Sequence, residues 1–96
     1  MKILVVDDEQ RIRDLITQYL TIDGYDVEQA KDGIDALTKI RKCDIDICIL
    51  DVMMPFMDGY TCLKEMRSRG FKTPVIILSA KGEEYDKIQG FEAGTD

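Results

Sequence analysis

The chain has 96 residues, of which 45% are hydrophobic and 33% are charged, and its formal net charge is −6. This length predicts one small domain with a packed core and no linker. The acidic charge argues against direct nucleic-acid binding, which needs clustered Lys and Arg, and no apolar run approaches the length of a membrane span. The first residues turn acidic too early for a signal peptide, so we expect a cytoplasmic protein.

Two features of the composition limit the chemistry of the chain. It contains no histidine, which leaves carboxylates, hydroxyls, lysines and a bound metal as the available chemical groups. The three cysteines, Cys43, Cys48 and Cys62, are odd in number and lack metal-ligand spacing. We therefore expect them to be reduced thiols without a chemical role.

Strand and helix patterns alternate along the chain. Residues 2–7 form a continuous apolar strand pattern, and apolar residues then recur at helical spacing as far as Gly24. Residues 25–30 alternate only in part, as suits an edge strand, and Asp32-Gly33 opens a second helix. The residues expected on the apolar helix faces are Ile12, Leu15, Ile16, Tyr19 and Leu20 in the first helix and Ile34, Leu37 and Ile40 in the second.

The second half of the chain repeats this alternation. The expected elements are a strand at 46–50, a helix from Gly59 to Arg69 with Leu63 and Met66 inward, a strand at 75–79 and a helix from Glu83 to Ala93. Four such units with short connections predict an α/β fold of three layers, with a parallel sheet between helices. The second strand is not apolar throughout, so it should lie at an edge, which gives the order 2-1-3-4.

Polar side chains follow three of these strands at their carboxyl ends. Asp7 and Asp8 follow the first strand, Asp51 the third and Ser79 the fourth. Ligands of open α/β sheets bind at this edge, and crowded carboxylates repel each other unless a cation holds them. Mg²⁺ prefers such oxygen ligands, so the pattern predicts a magnesium site. In a simpler interpretation the acids only favour the dipole of the following helix, which leaves Asp51 unexplained.

Asp51 is the predicted nucleophile of this site. It ends an apolar strand and precedes a loop with Pro and Gly at turn positions. Carboxylates form aspartyl phosphates, and a neighbouring metal shields their charge from that of an incoming phosphoryl group. The Ser79 hydroxyl could donate a hydrogen bond to a phosphoryl oxygen. Taken alone, however, a serine at this position is more typical of a turn.

The motifs around these residues resemble a known family. They are ILVVDDE at 3–9, ILDVMMP at 49–55, MDG at 57–59 and ILSAK at 77–81. Together they resemble the receiver domains of two-component response regulators, and the resemblance covers the whole chain. It implies a flavodoxin-like fold and a receiver domain over residues 1–96, truncated before its fifth strand and helix.

The resemblance also implies a role for each matching residue. Asp51 matches the phosphoacceptor and Asp8 a direct magnesium ligand. Asp7 matches an acid that acts on the metal through water, and Met53 a residue whose backbone carbonyl binds the metal. Ser79 matches the switch hydroxyl. The phosphoryl donor in this family is a histidine on a separate sensor kinase, which agrees with the absence of histidine here.

The function implied by the resemblance is a phosphorylation-dependent signalling switch of a two-component system. Such a domain is not an enzyme beyond, at most, autocatalytic phosphorylation and dephosphorylation. Phosphate on Asp51 would change the surface of the fourth strand and helix and so control an output domain of the same full-length protein. The resemblance favours transcription regulation, with DNA binding in a domain outside this chain.

The chain departs from the family pattern at its end. It stops at Asp96, before the fifth strand, the lysine that pairs with the acceptor carboxylate and the switch aromatic. Lys81 lies on a different loop and does not simply replace that lysine. The uncovered strand edge and apolar face predict a destabilised chain, or self-association or domain swapping.

Three alternatives stay open. A metal-dependent phosphohydrolase commonly carries an acid two residues after its nucleophile, where this chain has Met53. A nucleotide or flavin binder needs a glycine-rich phosphate loop after the first strand, where Asp7-Asp8-Glu9 would repel phosphate. A fragment that docks a kinase but takes up no phosphate fits the absent lysine.

Overall fold

The computed structural model describes residues 1–78. Four strands alternate with three helices in this part of the chain. In chain order the elements are β1 (Lys2–Val6), α1 (Gln10–Ile22), β2 (Asp26–Ala30), α2 (Gly33–Lys42), β3 (Ile47–Asp51), α3 (Gly59–Ser68) and β4 (Val75–Leu78). The predicted strand end Ser79, Lys81 and the predicted helix from Glu83 to Ala93 lie outside the described residues.

The four strands form one parallel sheet in the order β2-β1-β3-β4, as the sequence predicts. β1 pairs with β2 and β3, and β3 pairs with β4. In this register Val6 lies opposite both Ala30 and Leu50, so the carboxyl ends of the first three strands meet at one edge. Residues that follow β1 and β3 are thereby brought side by side.

The hydrophobic core lies between the sheet and the pair α2 and α3. Alternation along the strands sends Leu4, Val6 and Leu50 to this side, all at 0–1% exposure. Leu63 and Met66 of α3 pack against them, which confirms their predicted inward position. Cys48 and Cys62 are buried in the same core and Cys43 is half-buried, all three as free thiols.

Ile34 does not lie on the buried face of α2, and this prediction was wrong. Its side chain is 63% exposed, whereas Gly33, Ala36, Leu37 and Ile40 are buried. These four residues have the spacing i, i+3, i+4 and i+7 of one helix stripe. Ile34 is one residue past the start of that stripe and therefore points about 100° away from it.

α1 covers the other face of the sheet without burying any of its own residues. Two residues of its predicted apolar face, Leu15 and Tyr19, are 49% and 66% exposed. Ile12, Ile16 and Leu20 are half-buried. The helical period was therefore predicted correctly, but the stripe is only partly covered within residues 1–78.

An aspartate precedes both α2 and α3 and caps each helix. The Asp32 carboxylate accepts from the Asp35 N–H at 2.8 Å, and the Asp58 carboxylate accepts from the Thr61 N–H at the same distance. Such caps satisfy N–H groups that a helix start leaves without partners. In both cases a glycine is the first helical residue. Across residues 1–78 no helix is both long and apolar enough to span a membrane.

Candidate metal centre

Three aspartates converge at the carboxyl edge of the sheet. One carboxylate oxygen from each of Asp7, Asp8 and Asp51 lies within 4.8 Å of the other two. Asp7 and Asp8 directly follow β1, and Asp51 is the last residue of β3. These three residues, here called the carboxylate site, come together because β1 and β3 are neighbours in the sheet.

Burial and mutual repulsion disfavour charge on two of these acids. Burial and, after it, the negative charge of Asp7 raise the pKa of Asp51 to about 6, although the Met53 N–H offsets part of this rise. Burial is also the main reason why the pKa of Asp7 is raised, with an opposing hydrogen bond from the Glu9 N–H and a further increase from Asp8. Two buried carboxylates beside an exposed third form a donor set that suits a hard cation.

Asp7 is held by hydrogen bonds on three sides. Its N–H donates to the Ala30 carbonyl at 3.2 Å, and its Oδ1 accepts from the Glu9 N–H at 2.9 Å. Its own carbonyl accepts from the Arg13 guanidinium at 2.7 Å. The backbone that carries both Asp7 and Asp8 is therefore restrained.

The loop between β3 and α3 folds back over the end of β3. The Val52 carbonyl accepts from the Met54 N–H at 3.2 Å and from the Gly59 N–H at 3.0 Å. Gly59 is buried, and a Cβ atom there would lie 2.5 Å from the Asp51 carbonyl oxygen. Only glycine allows α3 to begin this close to Asp51.

An open cleft of about 420 Å³ adjoins the carboxylate site. Asp8 and Asp58 supply its acidic groups, and the remaining lining residues are Val52, Met53, Met54, Pro55 and Tyr60. Phe56, in the same loop, is 95% exposed and has a left-handed backbone with φ of 69°. The cleft beside Asp8 is thus lined by two acidic side chains among mostly apolar ones.

The structure brings together three of the five predicted site residues, while the roles of all five stay predictions. Asp7, Asp8 and Asp51 share the carboxylate site. Met53 lines the adjoining cleft and its N–H donates to Asp51 Oδ1 at 3.4 Å, whereas the proposed metal contact of its carbonyl is untested. Ser79 lies outside the described residues.

Sequence reasoning did not identify Gly59 or Arg13 as parts of this site. The repeated Asp-Gly pair at 32–33 and 58–59 signals two helix starts, but it does not reveal the close approach to Asp51. No sequence signal distinguishes Arg13 from a solvated arginine on a helix. Its contact with Asp7 depends on how α1 lies against the sheet.

The chain matches the family model of the response regulator receiver domain over residues 3–96. It belongs to this family. Receiver domains are signalling domains of two-component systems rather than classical enzymes. They bind Mg²⁺ at an acidic pocket, and the response regulators that contain them work with sensor histidine kinases and carry output domains.

Curated relatives of the receiver domain are named as regulators of transcription. The chain is 47% identical to the transcriptional regulatory protein ResD of Bacillus subtilis over 95 residues, covering 99% of this chain and 39% of ResD. It is 45% identical to the alkaline phosphatase synthesis transcriptional regulatory protein PhoP of the same organism, with 99% and 40% covered. The chain thus spans about two fifths of these relatives.

Solved receiver structures confirm the flavodoxin-like fold. The receiver domain of the Francisella response regulator 1452 matches with a TM-score of 0.87 at 40% identity, covering 99% of this chain and 78% of that one. The response regulator TrrA of Thermotoga maritima, solved in complex with Mg²⁺-BeF, matches with a TM-score of 0.83 at 33% identity, with 99% and 81% covered. The fold predicted from the strand patterns is therefore correct.

Proposed function

We propose that this receiver domain is a phosphorylation-dependent switch that accepts a phosphoryl group on Asp51. This proposal rests on the carboxylate site, where an Asp51 oxygen lies within 4.8 Å of oxygens of two further aspartates, one of which, Asp8, lines an open cleft. Asp51 is 7% exposed and ends a strand, so its carboxylate is held in place by the sheet. Phosphoryl transfer depends mainly on positioning, which the sheet supplies, and on charge neutralisation, which such a site supplies once it holds a cation.

Mg²⁺ is the cofactor of this proposal. Asp8 and Asp51 would bind it directly, together with the Met53 carbonyl, and Asp7 would act through water. The exposed Asp8 and the two buried acids fit such an ion, because its charge offsets the burial and the mutual repulsion that raise the pKa values of Asp7 and Asp51. A bound Mg²⁺ supplies positive charge that shields Asp51 from the negative oxygens of the donor.

The chain's own residues prepare Asp51 for attack. The Met53 N–H donates to one carboxylate oxygen at 3.4 Å, which leaves the other oxygen for the donor phosphorus. The donor's leaving group departs as the Asp51 oxygen bonds to phosphorus. The Ser79 hydroxyl would then donate a hydrogen bond to a phosphoryl oxygen, as the resemblance implies.

The proposed phosphoryl donor is a sensor histidine kinase. Phosphorylation would then control an output domain of the full-length protein. The names of ResD and PhoP favour transcription regulation as that output. Recognition of DNA would belong to the output domain, since this segment carries a net charge of −6. The proposal also includes a cytoplasmic location.

A labelling experiment tests the proposal. Incubation with Mg²⁺ and acetyl phosphate should add one phosphoryl group to the wild-type protein, measured by intact mass spectrometry. The variant Asp51→Asn should take up none, because its amide is not a nucleophile. The matched control Asp44→Asn, which changes an exposed acid elsewhere, should be labelled like the wild type.

Other outcomes of this experiment select the alternatives. Equal labelling of wild type and Asp51→Asn would remove Asp51 from the proposed role. Continuous release of phosphate from several phosphate monoesters would favour a phosphohydrolase. Binding to a histidine kinase without any phosphate uptake would favour a docking domain.

A further inference from the structure

Arg13 connects the carboxylate site to α1. One nitrogen of its guanidinium group donates to the Asp7 carbonyl at 2.7 Å, and its Nε donates to Gln29 Oε1 at 3.1 Å. The guanidinium group is planar and rigid, so two bonds from one group fix its orientation as well as its position. Arg13 lies on α1 and Gln29 on β2, so this side chain bridges a helix, an edge strand and the end of β1.

Gln29 is itself held in place by further contacts. Its Nε2 donates to Thr17 Oγ1 at 2.9 Å and to Asp14 Oδ1 at 3.3 Å, both on α1. The side-chain amide thus uses its oxygen for Arg13 and both of its N–H groups for α1. This set of contacts, here called the Arg13 network, fixes which way the guanidinium group points.

The carbonyl that Arg13 holds belongs to the peptide between Asp7 and Asp8. Because a peptide unit is planar, a bond to this oxygen also restrains the Asp8 nitrogen and the Cα atoms of both residues. The other Asp7 bonds, from its N–H to Ala30 and from the Glu9 N–H to its carboxylate, restrain the preceding and following units. Without Arg13 this one carbonyl would lose its charged donor.

The neighbouring helix does not supply this restraint by packing. None of the residues of α1 is fully buried, so apolar packing constrains this helix less than it constrains α2 and α3, which bury four residues each. A charged hydrogen bond to a half-buried carbonyl is stronger than a neutral one. The polar contact is therefore the more specific link between α1 and the carboxylate site.

We propose that Arg13 is a positioning residue that holds the Asp7–Asp8 peptide, so that both carboxylates face the cation site together with Asp51. This inference rests on the proposed function for the identity of the cation. Groups that orient metal ligands from outside the coordination sphere typically change metal affinity 10- to 100-fold when they are removed. Arg13 acts in this way through the backbone rather than by touching the cation.

The variant Arg13→Met tests this role against the control Arg11→Met. Both changes remove one positive charge from α1, but the Arg11 side chain is exposed and has no hydrogen bond or ion pair within residues 1–78. Mn²⁺ serves as the probe, and electron paramagnetic resonance measures its dissociation constant. We expect an increase of about tenfold for Arg13→Met and less than twofold for Arg11→Met. Arg13→Lys, which keeps the charge but reaches one acceptor at a time, should give an intermediate value.

Amide hydrogen exchange without metal provides a second, independent readout. Loss of the Arg13 contact should speed exchange at the Asp7 and Glu9 amides at least tenfold relative to Arg11→Met. Unchanged exchange at both amides would overturn the positioning role, whether or not the protein binds Mn²⁺. Equal Mn²⁺ affinities of the two methionine variants would overturn it as well.

The two readouts separate this inference from the proposed function. A wild-type protein that fails to bind Mn²⁺ contradicts the proposed function, and the exchange data then still decide the role of Arg13. If Arg13→Met does not fold, Gln29→Met removes the acceptor that orients Arg13 and should show the same two effects in weaker form. Wild-type affinity and exchange in both Gln29→Met and Arg13→Lys would then overturn the inference.

Discussion

Single side chains set the electrostatics of the carboxylate site. Asp51 is 7% exposed and has a pKa of about 6, chiefly because burial disfavours its charged form. Asp7 is similarly buried, and its pKa is raised for the same main reason. The free energy of the site is therefore highest when all three carboxylates are ionised and no cation is bound. A bound cation lowers it.

The pH dependence of the free energy of unfolding should reveal the cost of ionising Asp51. The pKa of Asp51 in the folded protein lies above the ordinary value of 3.8. The contribution of Asp51 to the free energy of unfolding is therefore complete below about pH 4, and it is lost as pH rises through 6. Without divalent cations at pH 7.5, Asp51→Asn should therefore be more stable than the wild type by about 2 kcal/mol, since the amide carries no charge. At pH 4 this difference should disappear. Urea unfolding at both pH values measures it.

Two comparisons support the assignment of this effect to Asp51. Asp44→Asn, at an exposed position, should show no comparable gain at pH 7.5. Addition of Mg²⁺ should stabilise the wild type more than Asp51→Asn, because the cation compensates a charge that the variant lacks. A stability difference that is the same at pH 4 and pH 7.5 would speak against a buried, charged Asp51.

Helix starts decide how closely the elements approach the site. α2 and α3 both begin with an Asp cap followed by glycine, yet the two glycines have different surroundings. A Cβ on Gly33 would meet Met57 Sδ at 2.7 Å and Met57 Cβ and Cγ at 3.1 Å, all atoms of one flexible side chain. A Cβ on Gly59 would meet the Asp51 backbone oxygen at 2.5 Å, which cannot move without moving the site.

These two glycines make a matched pair of substitutions. Both Gly→Ala changes remove the same backbone entropy and occupy the same helix position. Gly59→Ala should cost about 2 kcal/mol or more, because the new methyl group displaces the end of β3. Gly33→Ala should change stability by less than about 1 kcal/mol, since Met57 can shift. Urea unfolding and the rate of labelling by acetyl phosphate measure the two effects.

The rate of labelling gives the sharper contrast. A small displacement of a nucleophile costs a large factor in rate, so Gly59→Ala should slow labelling of Asp51 at least tenfold. Gly33→Ala should keep a rate close to that of the wild type. Equal rates for the two variants would show that the close approach of α3 does not position Asp51.

Seen across the domain, burial is uneven between the two faces of the sheet. On the side of α1, Val5, Ile49 and Ile76 lie in one row across three strands. Val5 is fully buried, Ile49 is half-buried and Ile76 is 40% exposed. Leu15 and Tyr19 of α1, the helix on this side of the sheet, are exposed as well. Within residues 1–78 this apolar surface, here called the β4 side, is only partly covered.

We expect the chain to self-associate through the β4 side. Contiguous apolar surface that stays exposed favours association. Sedimentation velocity should show a concentration-dependent rise in mass, and Ile76→Lys should reduce it by placing a charge on that surface. The control Ile34→Lys changes an isoleucine that is 63% exposed on α2, and it should leave association unchanged. A stable monomer at high concentration would contradict the prediction.

Much of the fold and most of the site follow from local patterns in the sequence. The runs of apolar residues in β1, β3 and β4 predict strands of a parallel sheet, and the mixed pattern of β2 predicts an edge strand. These two facts were enough to predict the strand order and the meeting of Asp7, Asp8 and Asp51. They suffice because the period of a strand and the direction of a parallel sheet are set by neighbouring residues.

Tertiary packing decided what periodicity leaves open. The exposure of Ile34, Leu15 and Tyr19 depends on which element packs against each helix. The spacing of apolar residues within a helix does not specify that element. The requirement for glycine at position 59 and the bond from Arg13 to the Asp7 carbonyl both join residues on different elements. Local sequence determines where carboxylates stand along each strand, whereas the distances between elements determine how those carboxylates are held and charged.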